Sequence, residues 1–181
     1  MSINDSELKE IGIYEYGLID TKEIVFLEEV RGMCEANRCR KYGTSWACPP
    51  AVGTVDECKE EVMRYDTGMV FSGKYDLRSS FDYRGMVAGG KDFKDVCDRL
   101  DDLLKEEELR DFLLLSNESC IRCEECTYPD NPCRFPEKLL PAVEGYGIMV
   151  TDLAKSVDVK YNNGDNTVTY FGLLLFNKSN L

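Results

Sequence analysis

The sequence predicts an α/β or α+β fold: a layered sandwich of a small mixed sheet with helices, cysteine-rich loops that bind metal clusters, and a C-terminal β-hairpin. Three observations predict it. Apolar runs of strand length, such as "GMVFSGKY", "DFLLLS" and "TVTYFGLLLF", recur along the chain. Between them lie segments with helical apolar spacing. Nine cysteines fall mostly into two tight groups, flanked by proline and glycine that interrupt regular structure. Strands alternating with helices make a layered sandwich the natural class.

Taken in order, residues 1–10 are polar and acidic and read as a mobile arm. "EIVFLEEVR" (23–31) reads as a short strand leading into the first cysteine group. Thr54 and Glu57 have capping-box spacing, which starts a helix running to about Tyr65 with Val55, Cys58, Val62 and Tyr65 on one face. Residues 68–75 read as a strand, and 77–90 as a loop or short helix. A second helix is expected from Asp92, with Phe93, Val96, Cys97, Leu100, Leu103 and Leu104 as its apolar stripe. The strand 111–118 then delivers the chain into the second cysteine group. A helix is expected from Pro136, shortened or kinked by Pro141. Another short helix is expected within 147–156. "VDVKY" and "TVTYFGLLLF" form the hairpin around Asn163-Gly164.

The totals exclude several function classes. A chain of 181 residues is read as a single domain, 1–181, long enough to bury a core without disulfides. The N-terminus lacks the basic start and apolar stretch of a signal peptide, so a cytoplasmic, thiol-reducing location is expected. A net charge of −12 disfavours nucleic acid and anionic membrane surfaces, which need clustered Lys and Arg. Acidity here reads first as solubility, and second as a docking face for a redox protein partner. The chain contains no histidine. That removes Ser-His and Cys-His nucleophiles and Rieske-type clusters, and it disfavours hydrolytic zinc. Gly89-Gly90 lacks the surrounding residues of a phosphate loop and reads as a turn.

The second group, "CIRCEECTYPDNPC", places Cys120, Cys123 and Cys126 three apart, with Cys133 following after six intervening residues. One zinc ion is usually held by two separate knuckles. Three thiolates in one loop suit a cubane, which offers each thiolate its own iron. A [4Fe–4S] cluster is the leading assignment and zinc the alternative. The first group, Cys34, Cys39 and Cys48, is looser and ends in Cys-Pro-Pro. Tyr42 and Trp46 lie between its ligands, as cluster shields or core aromatics, and Gly43 could turn N–H groups toward sulfur. Cys58 and Cys97 lie on helical apolar stripes and read as core thiols. Seven thiols remain for one or two clusters. The shortfall leaves three routes open: a three-cysteine cluster with an open iron, a carboxylate as fourth ligand, or thiols shared between groups. Cys133 is therefore the least secure ligand.

"VRGMCEANRCRKYGTSWACPP" and "CIRCEECTYPDNPCRFPEKLLPAVEGYGIMV" together resemble a widespread family of predicted metal-binding proteins of unknown function, common in anaerobic bacteria and archaea. The resemblance covers about residues 23–155. It implies Cys34, Cys39, Cys48, Cys120, Cys123, Cys126 and Cys133 as metal ligands. It also marks Tyr42, Trp46, Pro49, Arg134, Pro136, Pro141, Glu144, Gly147 and Ile148 as motif positions. This sequence departs from the family pattern at "SNES" (116–119) and at Ala142. Arg134 could donate to cluster sulfur or pair with an anion such as Glu144, while Glu124 and Glu125 face solvent. Three functions follow as expectations: an iron–sulfur redox protein, an enzyme with an open iron, or a structural zinc module.

Overall fold

A computed structural model describes residues 4–107, 109 and 111–180. Its centre is an antiparallel sheet of four strands, β1 (Glu15–Asp20), β2 (Thr67–Asp76), β3 (Phe112–Leu115) and β4 (Thr167–Phe176), in the order β1-β2-β4-β3. The fold is thus α+β, and the expected mixed sheet is corrected to an antiparallel one. β2 and β4 pair from Thr67↔Phe176 to Asp76↔Thr167 and form the spine. Side chains alternate across a strand. Val70, Leu115, Phe171, Leu173 and Leu175 therefore enter one core, while Met69, Phe71, Leu114, Leu174 and Phe176 enter another. Helices cover both faces, so β4 reads as an unbroken apolar run instead of an alternating one. Each fully buried Leu or Phe contributes roughly 1.5–3 kcal/mol through apolar area removed from water.

One face is covered by α4 (Tyr83–Glu106), whose Phe93, Val96, Cys97, Leu100 and Leu104 are buried. It starts at Tyr83, well before Asp92, because Asp82 accepts the Gly85 N–H and caps it. The other face carries α3 (Val55–Val62) and α5 (Val150–Ser156). The Thr54–Glu57 capping box is present in both directions, at 3.2 and 2.7 Å.

Four further expectations are corrected. Residues 5–10 of the supposed arm form α1 (Asp5–Glu10), capped by Asn4, and Leu8 is buried in the α4-side core; residues 1–3 lie outside the described residues. Residues 23–31 are no strand. A 3₁₀ turn is followed by α2 (Glu28–Glu35), with Phe26 making one bridge to Ile148. Glu28 and Glu29 favour a helix N-terminus through the helix dipole, and that signal outweighs the β-prone "IVF". No helix runs from Pro136: two 3₁₀ turns, Pro136–Lys138 and Glu144–Tyr146, flank Pro141. The C-terminal hairpin is absent, since Val157–Tyr161 forms no strand and β4 pairs with β2 along its length and with β3 over its last four residues. Gly164 still turns at φ 99°.

The topology positions the site. The β1–β2 connection contains the first cysteine group and the β3–β4 connection contains the second. Both connections pack onto the same sheet face, through Ile24, Cys58 and Val62 from one and Val143, Tyr146 and Leu153 from the other. No helix is long and apolar enough to cross a membrane among the described residues.

Candidate metal centre

Two loops distant in sequence are stitched together by backbone groups. The Ala142 N–H donates to Ala47 O at 3.0 Å, and the Trp46 indole N–H donates to Asn131 O at 3.2 Å. Trp46 also meets Tyr128 edge-on, with ring centroids 4.8 Å apart. Buried Arg31 braces the same junction, with its two terminal nitrogens each 2.6 Å from a carbonyl, Gly53 O and Gly145 O.

Cys120, Cys123, Cys126 and Cys133 line one small cavity with Trp46, Arg134 and Phe135. All four are half-buried. Cys133 thus faces the same cavity as its own group, and the Phe135 N–H lies 3.5 Å from its sulfur. Around Cys126, burial pushes the thiol pKa up. The N–H groups of Tyr128, Trp46 and Thr127 and the Ser45 hydroxyl outweigh it and bring the pKa below the ordinary value. Donors aimed at sulfur favour the thiolate, the form that binds metal. Two of these donors, Trp46 and Ser45, come from the first cysteine group.

That group sits differently. Cys34 lies in the last turn of α2, Cys39 is exposed and Cys48 is buried. The three are close enough for their charges to interact. Burial raises the Cys34 pKa, with Glu144, Cys48 and Cys39 adding to it and Arg31 opposing. Burial likewise raises Cys48, against the stabilising influence of Ser119. Ser119 Oγ is buried without a hydrogen-bond partner and lies close enough to Cys48 to oppose that rise. Cys34 Sγ lies 3.9 Å from Glu144 O.

The second loop is anchored to α4 by charge. Arg122 pairs with Asp98 and donates to Lys138 O at 2.7 Å. Lys138 pairs with buried Asp101 at 2.9 Å and with Asp102. Buried Lys94 donates to the carbonyls of Asn117 and Glu118, just ahead of Cys120. Burial lowers its pKa, while the neighbouring thiols Cys97, Cys120 and Cys48 and the Glu118 carboxylate pull the other way.

Several motif residues act otherwise than expected. Arg134 donates to Glu125 O at 2.9 Å and does not pair with Glu144, which stands instead by Cys34. The Gly43 N–H turns back to Pro49 O, not to sulfur. Glu124 and Glu125 are exposed. Cys58 and Cys97 are buried in the two cores, and burial raises their pKa values to about 11 and about 12. Sequence reading missed Arg31, Ser45, Lys94 and Ser119. Lys94 left a signal: it sits one turn before Cys97 and two before Asp101, a charge on a core-facing stripe.

Among the described residues, no three Cys, Asp or Glu side chains converge tightly enough to hold a single ion. Four thiols nonetheless share one concavity, N–H and O–H donors surround Cys126, and the Ser119 hydroxyl lies near Cys48. This donor set suits an anionic, thiolate-ligated group.

A family model described as "Predicted metal-binding protein (DUF2284)" matches residues 17–176. The chain belongs to this family. The match takes in both cysteine loops and all four strands except the first two residues of β1. No curated protein and no solved structure matches. The family description states metal and names no reaction.

Proposed function

We propose that this member of the family is a [4Fe–4S] protein that carries electrons for a redox protein partner in the cytoplasm. The observation that carries the reading is the shared cavity of Cys120, Cys123, Cys126 and Cys133, in a chain with no histidine to complete an alternative site. These four would hold one cluster. Cys34, Cys39 and Cys48 would hold a second, with Glu144 as the carboxylate available to complete it. A bound cluster supplies one-electron transfer at a potential set by hydrogen bonds to its sulfurs and by exposure.

The protein's own residues do the rest. The N–H groups of Tyr128, Trp46 and Thr127 favour the charged sulfur of Cys126. Trp46 and Tyr128 pack edge to face across the two loops. Lys94 places a cation between the two groups, offsetting thiolate charge. Purification without oxygen, followed by iron, zinc and sulfide analysis, tests the reading. Iron and sulfide in equal amounts, with a reducible EPR signal, are expected. A colourless protein with stoichiometric zinc, refolded by zinc alone, overturns it.

A further inference from the structure

Lys94 also lines a cavity outside the cysteine loops. It measures about 280 Å³ and lies between the first half of α4, residues 118–121 and Tyr170 of β4. We propose that this cavity binds a small organic monocarboxylic acid, with its carboxylate on Lys94 and its apolar tail against Met86, Val87 and Ile121. The proposal does not depend on the metal reading.

One unspent donor lines this cavity, on Lys94, and a second, on Asn117, lies buried behind its wall. An ammonium group has three N–H bonds, and Lys94 uses two, on Asn117 O and Glu118 O. Asn117 is 4% exposed and its side-chain Nδ2 has no partner. That nitrogen stands 3.6 Å from where a side chain on Gly90 would begin, and Gly90 lines the cavity. A buried amide donor left unpaired is unfavourable, so an acceptor oxygen that reaches through the Gly90 wall relieves a penalty already present.

The charge balance sets the class. Lys91 and Lys94 face Glu118, which leaves one net positive charge in a chain of net −12. One carboxylate matches it; a phosphate would bring extra charge toward Glu118 with no arginine to meet it. The walls specify the tail. Tyr83, Val87 and Ile121 are 74%, 40% and 49% exposed, apolar surface that a ligand would cover. The glycine pair in mid-helix belongs to the same construction. A side chain on Gly89 would stand 2.9 Å from Tyr75, and one on Gly90 3.3 Å from Tyr170, so both glycines let α4 close onto those rings. The Tyr170 hydroxyl is held in place by donating to Met86 O at 2.7 Å.

The test is calorimetric titration of the anaerobically purified protein with acetate, butyrate, octanoate and phenylacetate, with phenylacetamide as the uncharged control. Saturable binding is expected for at least one longer acid, with acetate and the amide weaker by about tenfold or more, as for a site built to pair its buried polar groups. Lys94→Met should cost a similar factor. Because Lys94 also holds the cysteine-loop carbonyls, Val87→Trp provides the independent variant, filling the cavity from an exposed position. It should abolish binding with metal content and unfolding midpoint unchanged. Failure of every acid to saturate, equal binding of acid and amide, or undiminished binding by Val87→Trp overturns the proposal. Metal content measured on the same samples separates that failure from failure of the iron–sulfur reading.

Discussion

Cys97 and Cys126 are the same residue in opposite surroundings. Cys97 lies on the core stripe of α4 with no exposed surface, and burial drives its pKa to about 12. Cys126 lies in a loop where three N–H groups and a hydroxyl turn toward it, and its pKa falls below the ordinary value. Cys58 follows the first pattern, at about 11 even with Arg31 Nη2 3.8 Å away. A thiol becomes ligand-like when backbone donors face it, and becomes a small hydrophobe when they are spent in a helix or strand.

The largest expected contrast is chemical. In metal-depleted protein at pH 8, Cys126 should alkylate on the order of 10³-fold faster than Cys97, because only a trace of a thiol with a pKa near 12 is ionised there. Mass-spectrometric mapping of the labels checks this, and equal rates would break the comparison. Next, Cys123→Ser should remove the metal of the second loop. Cys97→Ala should leave metal content intact and lower stability by about 1–2 kcal/mol, as for a core truncation; metal analysis and denaturant unfolding read the two effects.

The anchoring of the loop gives a smaller effect. Asp101 is buried and shared by Lys105 at 2.7 Å and Lys138 at 2.9 Å. Asp101→Asn should loosen the loop on α4, where Asp98, Asp102 and Lys94 still hold it, and speed metal loss to a chelator several-fold, with the Cys97 thiol still protected. The smallest effect is at the start of α4. Arg78 hydrogen-bonds Asp82 and, with the Gly85 N–H, holds its carboxyl well below the usual carboxylate range. A depressed folded-state pKa stabilises above the unfolded value and is lost as pH falls through the folded one. Wild type should therefore exceed Asp82→Asn in unfolding midpoint at neutral pH, with the gap closing only in strong acid.

Much of this was legible in the chain. The Thr54–Glu57 box, the α4 stripe and the strands β2 and β4 follow from local rules that need only neighbours in sequence. Cysteine spacing alone picked out both loops, and it separated Cys58 and Cys97 from them, because helical periodicity assigns a face. The edge elements were not legible. "EIVFLEEVR" is balanced between strand and helix, and "VDVKY" has the pattern of a strand but forms none in the fold.

By itself, then, the sequence determined where the two cysteine groups lie, that no imidazole accompanies them, and where the long helix and central strands run. Tertiary structure decided that the two cysteine loops meet. The loops are long insertions between strands, and only their packing on one sheet face brings Trp46 and Ser45 to Cys126 and Ser119 to Cys48. It also decided that Lys94 is buried beside a cavity and that Asn117 keeps a donor free. Spacing is a local property, whereas the partner of a buried polar group depends on segments far away in the chain.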